Sequence, residues 1–273
     1  MASTSAPTSS ESRLSARLAE RLRSGRRLLV PYVTAGFPSG DETPELMHRI
    51  AAAGADVIEL GVPFSDPLAD GPTIQGSSQV SLDRGGSLAA TLDVLRTFRE
   101  ADTRTPVVIF TYLNPVFRHG VDRFLDDAER AGADGLLLTD LPLGEDPELE
   151  DRFERSPLPL IRLIAPTTPP KRARRIAERA QGFVYYISRT GVTGARADLR
   201  SDLARNVRAL KQAASVPVLV GFGISTPEQA AEVAALADGV VVGSALIQAI
   251  QQGGIVAAGE LVERLAEALN PGR

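Results

Sequence analysis

The 273-residue sequence contains no cysteine, and this absence excludes three kinds of chemistry. Without cysteine there is no disulfide framework, no thiolate nucleophile and no cysteine-based metal site. A Schiff-base mechanism needs a desolvated lysine, and a metal centre usually needs clustered histidines and carboxylates. Any chemistry is therefore expected to rest on carboxylates, backbone amides and tyrosines, because lysine and histidine are limited to Lys171, Lys211, His48 and His119.

Long apolar runs are also missing, and none approaches the ~18 residues that predict a membrane span. The net charge of −4 gives no indication of a nucleic-acid or anionic-membrane partner. Residues 1–10 are rich in serine, threonine and alanine and have no apolar core, so a disordered tail is predicted rather than a signal peptide. With 43% hydrophobic residues the rest of the chain has enough for a full core, and a soluble, cytoplasmic protein is expected.

A short theme recurs at 53–56, 131–135 and 236–239, where a helical pattern ends in a glycine-containing turn and an apolar strand follows. Such junctions are typical of repeated βα units. Near-continuous apolar strands that alternate with helices indicate a parallel sheet covered by helices. Eight strands are predicted, at 28–34, 57–60, 107–112, 136–139, 158–165, 183–188, 217–220 and 240–243.

Helical patterns lie near 41–53, 87–101, 121–131, 145–155, 168–180, 198–214, 226–236 and 255–269. Eight βα units in a chain of this length predict a single (β/α)8 TIM barrel over residues 11–273. An additional N-terminal helix is predicted at 11–24, and a short helix after strand eight. The alternative, a doubly wound open sheet, lacks a glycine-rich dinucleotide fingerprint after the first strand.

Two carboxylates lie where a barrel has its active site, at the carboxyl ends of the strands. Glu59 ends an apolar strand, so desolvation is expected to raise its pKa until it can both give and take a proton near neutrality. Asp70 follows in a more solvated, proline-rich loop and is expected to stay ionised, suited to holding an N–H donor. The alternatives are an arginine partner for Glu59 and turn-stabilising roles for Asp66 and Asp70. Asp140, at the end of strand four, is interpreted as structural or positioning.

Three glycine-containing segments are expected to surround a ligand. Two of them, 221–225 and 243–247, follow strands seven and eight, where backbone N–H groups at a turn or a helix start bind phosphate in many barrels. Either one alone is equally compatible with a tight turn. The third, 188–196, is predicted to be a closing lid with two glycine hinges, and an ordinary connection is the alternative.

The stretch from Glu59 to Pro72 reads ELGVPFSDPLADGP and resembles the signature loop of the tryptophan synthase alpha chain family. The resemblance continues at 73–75, 112–117, 188–194, 221–224 and 243–244 and covers the chain from about residue 28 to 250. That family cleaves indole-3-glycerol phosphate to indole and glyceraldehyde 3-phosphate in a retro-aldol reaction. The resemblance implies a carbon–carbon lyase whose indole passes to a beta subunit for L-tryptophan synthesis.

The resemblance also implies roles for individual residues. Glu59 would transfer protons, to carbon 3 of the indole and from a glycerol hydroxyl, and Asp70 would hold the indole N–H. The substrate-binding residues would be Thr193, Gly194, Gly223, Gly243 and Ser244 around the phosphate, and Tyr32, Tyr112 and Tyr185 along the pocket.

A partner is implied as well, because alpha chains of this family bind a beta chain that uses pyridoxal phosphate. The expectations are an alpha2-beta2 complex, no cofactor on this chain, and a contact through the loop 62–70 and the region of Asn114 and Pro115. If lid closure and docking favour the same state, substrate and beta chain should raise each other's affinity. One departure from the family is 141–147, where paired glutamates often follow the proline.

Other functions are compatible with the same residues. They are a free-standing indole-producing lyase, another phosphosugar-binding barrel enzyme, a partner-activating subunit with little activity of its own, and a binding module without catalysis. A synthase of the same pathway would need a lysine at a strand end, and the predicted strand ends have none. The intact carboxylates and glycines argue against a purely regulatory subunit.

Overall fold

A computed structural model describes residues 12–188, 196–221 and 223–272, with residues 196–200 in backbone only. Its centre is a closed barrel of parallel strands that pair in sequence order, and the last strand closes onto the first. The predicted barrel is therefore confirmed. The strands are β1 (Leu28–Thr34), β2 (Ile58–Gly61), β3 (Val107–Thr111), β4 (Gly135–Leu138), β5 (Leu160–Ile164), β6 (Val184–Ile187), β7 (Val218–Gly221) and β8 (Gly239–Val242).

Helices cover the outside of this barrel. The last of them leaves helical geometry at Gly253 and Gly254, so its first part is the short helix predicted after strand eight. Among the described residues, none of the helices is both long and apolar enough to cross a membrane. The helices are α1 (Arg13–Arg23), α2 (Glu42–Ala53), α3 (Pro72–Asp83), α4 (Leu88–Ala101), α5 (Leu113–His119), α6 (Val121–Ala131), α7 (Pro147–Glu154), α8 (Pro170–Arg179), α9 (Arg196–Ala213), α10 (Pro227–Ala234) and α11 (Ser244–Leu269).

Two helices, α3 and α5, are absent from the sequence prediction. The buried face of α3 consists largely of serines, among them Ser77 and Ser81, so the helix lacks the periodic apolar pattern that identifies most helices. α5 has only seven residues and contains Pro115, a residue more typical of turns. The predicted tail, residues 1–10, lies outside the described residues and stays a prediction.

The interior of the barrel is filled from its amino-terminal end. Side chains alternate along each strand, and the inward-pointing ones form a cluster separate from the core between sheet and helices. Leu14 and Leu18 of α1 belong to this interior cluster, so the predicted N-terminal helix closes the barrel at that end. The carboxyl end is left for polar side chains. The other members of the interior cluster lie on the strands or one residue before them: Leu28, Val30, Val57, Val108, Leu137, Ile161, Phe183, Leu219 and Val241.

The turns that recur before β2, β4 and β8 share one structure, which we call an aspartate clasp. The aspartate N–H donates to the carbonyl oxygen of one residue on the preceding strand, and a carboxylate oxygen accepts the N–H of that same residue. The six donor–acceptor distances lie between 2.8 and 3.0 Å. The clasped pairs are Asp56 with Leu29, Asp134 with Val107, and Asp238 with Val218.

Each clasp carboxylate is also paired with a cation, which offsets part of the cost of its burial. Asp134 lies 2.7 Å from Arg99 and 3.3 Å from Arg13 of α1, and its side chain is 6% exposed. Asp56 is paired with Arg21, also of α1, at 2.5 Å. The clasps therefore hold the closing helix as well as the strands.

Replacing Asp134 by alanine should lower the free energy of unfolding by about 3 kcal/mol, because it leaves the Val107 N–H and the Arg99 guanidinium buried without this partner. Urea denaturation measures this difference. The matched control is Asp93→Ala, which breaks the exposed pair with Arg96 and should change stability by less than about 1 kcal/mol. Equal losses for the two variants would contradict the role of the clasp.

Candidate active site

Glu59 points into the barrel, because Val57 belongs to the interior cluster and side chains alternate along the chain. The residue is 1% exposed. Its Oε1 atom is buried and has no hydrogen-bond partner among the described residues. Burial raises the pKa of Glu59 to about 8, so the predicted rise is found, and the described residues provide no arginine partner. A carboxyl in this state is protonated at neutral pH and can release its proton.

Asp70 lies in the loop between β2 and α3 and is half-buried. The Tyr112 hydroxyl donates to Oδ2 of Asp70 at 3.0 Å and accepts the Ala69 N–H at 3.1 Å, while the Phe64 ring packs on Tyr112 with a centroid distance of 5.2 Å. Burial raises the pKa of Asp70 to about 6, and the Tyr112 hydrogen bond opposes that rise. Asp70 is therefore ionised at pH 7, when Glu59 is protonated.

Two tyrosines of the site lie against glycines at the ends of neighbouring strands. A Cβ at Gly61 would come within 2.0 Å of the Tyr32 hydroxyl, and a Cβ at Gly221 within 2.5 Å of the Tyr185 hydroxyl. Any larger residue would therefore push the phenol out of place. Burial raises the pKa of both tyrosines, and the neighbouring carboxylates raise it further. Both phenols are neutral and able to donate a hydrogen bond.

One part of the predicted phosphate site lies beside Tyr32. Gly243 and Ser244 start α11, whose first backbone N–H groups have no acceptor within the helix. A Cβ at Gly243 would lie 3.6 Å from the Cβ of Tyr32, so the start of the helix adjoins the tyrosine. Gly223 follows β7, is exposed, and has a φ of 78°, a left-handed conformation that favours glycine.

The other two residues predicted to bind the phosphate, Thr193 and Gly194, lie outside the described residues, as does the segment 189–195 of the predicted lid. A cavity of about 960 Å³ lies outside the barrel among α8, α9 and α10 and reaches Gly223. Neither Glu59 nor Asp70 lines it. Within the described ranges, no group of three or more histidines and carboxylates is placed to hold a metal ion.

Two further acidic residues have structural contacts. Asp66 accepts the Ser65 hydroxyl at 2.7 Å inside its own loop, which fits the turn-stabilising alternative. Asp140 accepts the Leu113 N–H at 2.8 Å, in agreement with a structural or positioning role.

Two aromatic residues of the site, Phe110 and Phe64, were not predicted from the sequence. Phe110 meets the Tyr32 ring edge-on at 5.3 Å, and its position two residues after the interior Val108 would have identified it by alternation. Phe64 lies in the signature loop, and its local sequence gives no sign that its ring packs on Tyr112.

Comparison with known proteins finds relatives that span nearly the whole chain. The sequence model of the tryptophan synthase alpha chain family matches residues 18–270. The tryptophan synthase alpha chain of Geobacter sulfurreducens is 48% identical over 241 residues, which cover 88% of this chain and 91% of that protein. The crystal structure of tryptophan synthase subunit alpha from Legionella pneumophila str. Paris has a TM-score of 0.87 and 38% identity, covering 95% of this chain and 99% of that one. That of tryptophan synthase from M. tuberculosis in an aminoacrylate-bound form has a TM-score of 0.84 and 34% identity, covering 94% and 99%.

The raised pKa of Glu59 makes stability depend on pH. Because the native state holds this proton more tightly than the unfolded chain, the stabilisation is complete below about pH 4.5 and is lost as the pH rises through about 8. The glutamine in Glu59→Gln cannot ionise. The free energy of unfolding of this variant, relative to that of the wild type, should therefore rise by a few kcal/mol between pH 5 and pH 9. Urea denaturation across this range measures the gain.

Asp70→Asn serves as the comparison for this experiment. Its free energy of unfolding, relative to that of the wild type, should also rise with pH, but between about pH 4 and pH 6. A difference between Glu59→Gln and wild type that stays constant from pH 5 to pH 9 would contradict the buried, proton-holding state.

Proposed function

Because this chain belongs to the tryptophan synthase alpha chain family, we propose that Glu59 and Asp70 perform the chemistry of its reaction. The reaction is the cleavage of indole-3-glycerol phosphate to indole and glyceraldehyde 3-phosphate, and the chain is a carbon–carbon lyase. The observation that carries the assignment of residues is the buried Glu59 carboxyl, whose Oε1 atom has no hydrogen-bond partner among the described residues.

The proton states of the two carboxyls fit the two halves of the cleavage. Protonated Glu59 donates to carbon 3 of the indole ring, which places positive charge on the ring nitrogen, and ionised Asp70 accepts the N–H of that nitrogen. The Glu59 carboxylate then takes the proton of the adjacent glycerol hydroxyl. As that O–H bond breaks, the aldehyde forms, the carbon–carbon bond breaks, and its electrons restore the ring. Glu59 ends the cycle protonated, as it began.

The binding assignments follow from the same geometry. The start of α11 at Gly243 and Ser244, with Gly223, offers backbone N–H groups to the phosphate. Tyr32 and Tyr185 offer neutral hydroxyls along the pocket. The roles of Thr193 and Gly194 at the phosphate stay predictions.

The decisive experiment measures indole release from indole-3-glycerol phosphate by the purified chain, with and without a beta chain. Glu59→Gln and Asp70→Asn should each lower kcat by about 10²–10⁴-fold, because each removes a group that acts in the transition state. The wild-type pH profile of kcat/KM should fall below about pH 6 as Asp70 is protonated, and above about pH 8 as Glu59 loses its proton. Asp66→Asn, on the same loop, is the matched control and should keep most of the activity that the chain shows without a beta chain.

The outcomes separate the alternatives. Full activity of Glu59→Gln would refute its assigned role. Cleavage that no beta chain changes would indicate a free-standing indole-producing lyase. If indole-3-glycerol phosphate were bound but never cleaved under any condition, the chain would be a binding module.

We also propose that this chain binds a beta chain through the face that carries Leu68 and Phe117. Leu68 is 95% exposed and Phe117 is 53% exposed, and each lies in or beside a segment predicted to touch the partner. Large apolar side chains exposed in this way are typical of interface anchors. The alpha2-beta2 stoichiometry, pyridoxal phosphate on the beta chain rather than on this one, and the cytoplasmic location stay predictions.

Leu68→Asp and Phe117→Asp should each weaken binding to a tryptophan synthase beta chain at least about tenfold. Each substitution places a charge where the complex would bury an apolar side chain. Isothermal titration calorimetry measures the Kd. Val256 is 63% exposed on α11, outside the predicted contact segments, so Val256→Asp is the matched control and should bind normally. An unchanged Kd in both interface variants would place the beta chain elsewhere.

A further inference from the structure

Asp140 reaches from the loop after β4 to the start of α5. Its Oδ1 atom accepts the backbone N–H of Leu113, the first residue of that helix, at 2.8 Å. The cap residue of α5 is Tyr112, and its side chain makes no capping hydrogen bond. Since the first N–H groups of a helix have no acceptor within it, Asp140 supplies from another loop the cap that α5 lacks.

The residue beside this contact is the one that holds Asp70. Tyr112 directly precedes Leu113, and its hydroxyl binds both Asp70 Oδ2 and the Ala69 N–H. The direction of the Tyr112 side chain therefore depends on where its backbone is fixed, and Asp140 fixes that backbone one residue away.

The loop that carries Asp140 is itself tied down by side chains of other elements. The Arg172 guanidinium of α8 donates to the Leu143 carbonyl oxygen at 3.0 Å. Glu150 of α7 accepts the Gly144 N–H and is paired at 3.1 Å with Arg162 of β5, which is 4% exposed. These contacts hold the loop that follows Asp140 against α7 and α8.

We propose that Asp140 is a positioning residue: by capping α5 it orients Tyr112, and through Tyr112 it holds Asp70 in the arrangement that the cleavage needs. The inference rests on the proposed role of Asp70. In this proposal the 141–147 region, where the sequence departs from the family pattern, holds Asp140 in place through the contacts of Leu143 and Gly144.

Two effects set the pKa of Asp70: burial raises it, and the Tyr112 hydrogen bond lowers it. Tyr32 and Tyr185 also lie near the site, and each interacts with both Asp70 and Glu59. If Tyr112 turns away, the opposing effect is lost and the pKa of Asp70 rises above about 6.

The test compares Asp140→Ala, which removes the cap, with Asp140→Asn, whose amide oxygen can still accept the Leu113 N–H. In Asp140→Ala, kcat should fall about tenfold and the acid limb of the pH profile should move upward by roughly half a pH unit. Asp140→Asn should restore both. A simple loss of stability would not move the acid limb, and thermal unfolding of each variant records that loss separately.

Ser87→Ala is the matched control, because Ser87 caps α4 by accepting the Ala90 N–H at 3.1 Å, and no hydrogen bond among the described residues joins it to Asp70 or to the loop of Asp140. It should leave the pH profile unchanged. An unaltered kcat and acid limb in Asp140→Ala, or an Asp140→Asn variant as impaired as Asp140→Ala, would overturn the positioning role. Full activity of Asp70→Asn would instead refute the proposed function, so the two failures are distinguishable.

Discussion

The burial of the Glu59 carboxyl, which has no ion-pair partner in the part of the chain that the structure describes, is the constraint on which the site depends. Moving an ionised carboxylate out of water costs several kcal/mol, and Glu59 avoids that cost by keeping its proton. It keeps the proton only while water is excluded from the barrel interior. The packed side chains below Glu59, the closing helix α1 and the unbroken ring of strands together provide that exclusion. The reactive state of the acid is thus a product of the core.

Two glycines, which have no side chain, make room for two tyrosines of the site on the neighbouring strands. Tyr32 and Tyr185 occupy space that a side chain at Gly61 or Gly221 would fill. The two phenols therefore stand close to Glu59 without distorting the barrel. Tyr112, which directly follows β3, holds the loop of Asp70 against the barrel through its hydrogen bond to the Asp70 carboxylate.

The sequence was sufficient for the barrel, for the bounds of β1, and for the placement of Glu59, because these depend on apolar periodicity and on the strand-end rule. It did not identify α3, whose buried serines hide its periodicity, or α5, whose proline and shortness resemble a turn. The contact between Asp140 and Leu113 joins residues 27 positions apart through loop geometry, and no local pattern encodes it. The rise of the Asp70 pKa to about 6 depends on three-dimensional burial that the loop sequence does not express.

The aspartate clasps divide the barrel in a regular way, since they join β1 to β2, β3 to β4 and β7 to β8. At β5 the side-chain oxygen of Gln181, just before β6, accepts the Leu160 N–H at 2.8 Å in the corresponding place. The barrel is therefore a ring of four strand pairs, and one side-chain contact, an aspartate clasp or the Gln181 contact, joins the two strands of each pair. A circularly permuted chain opened between β4 and β5 would keep both partners of every such contact inside one continuous segment. Opening it between β3 and β4 would place Val107 and Asp134, the partners of one clasp, at opposite ends of the polypeptide.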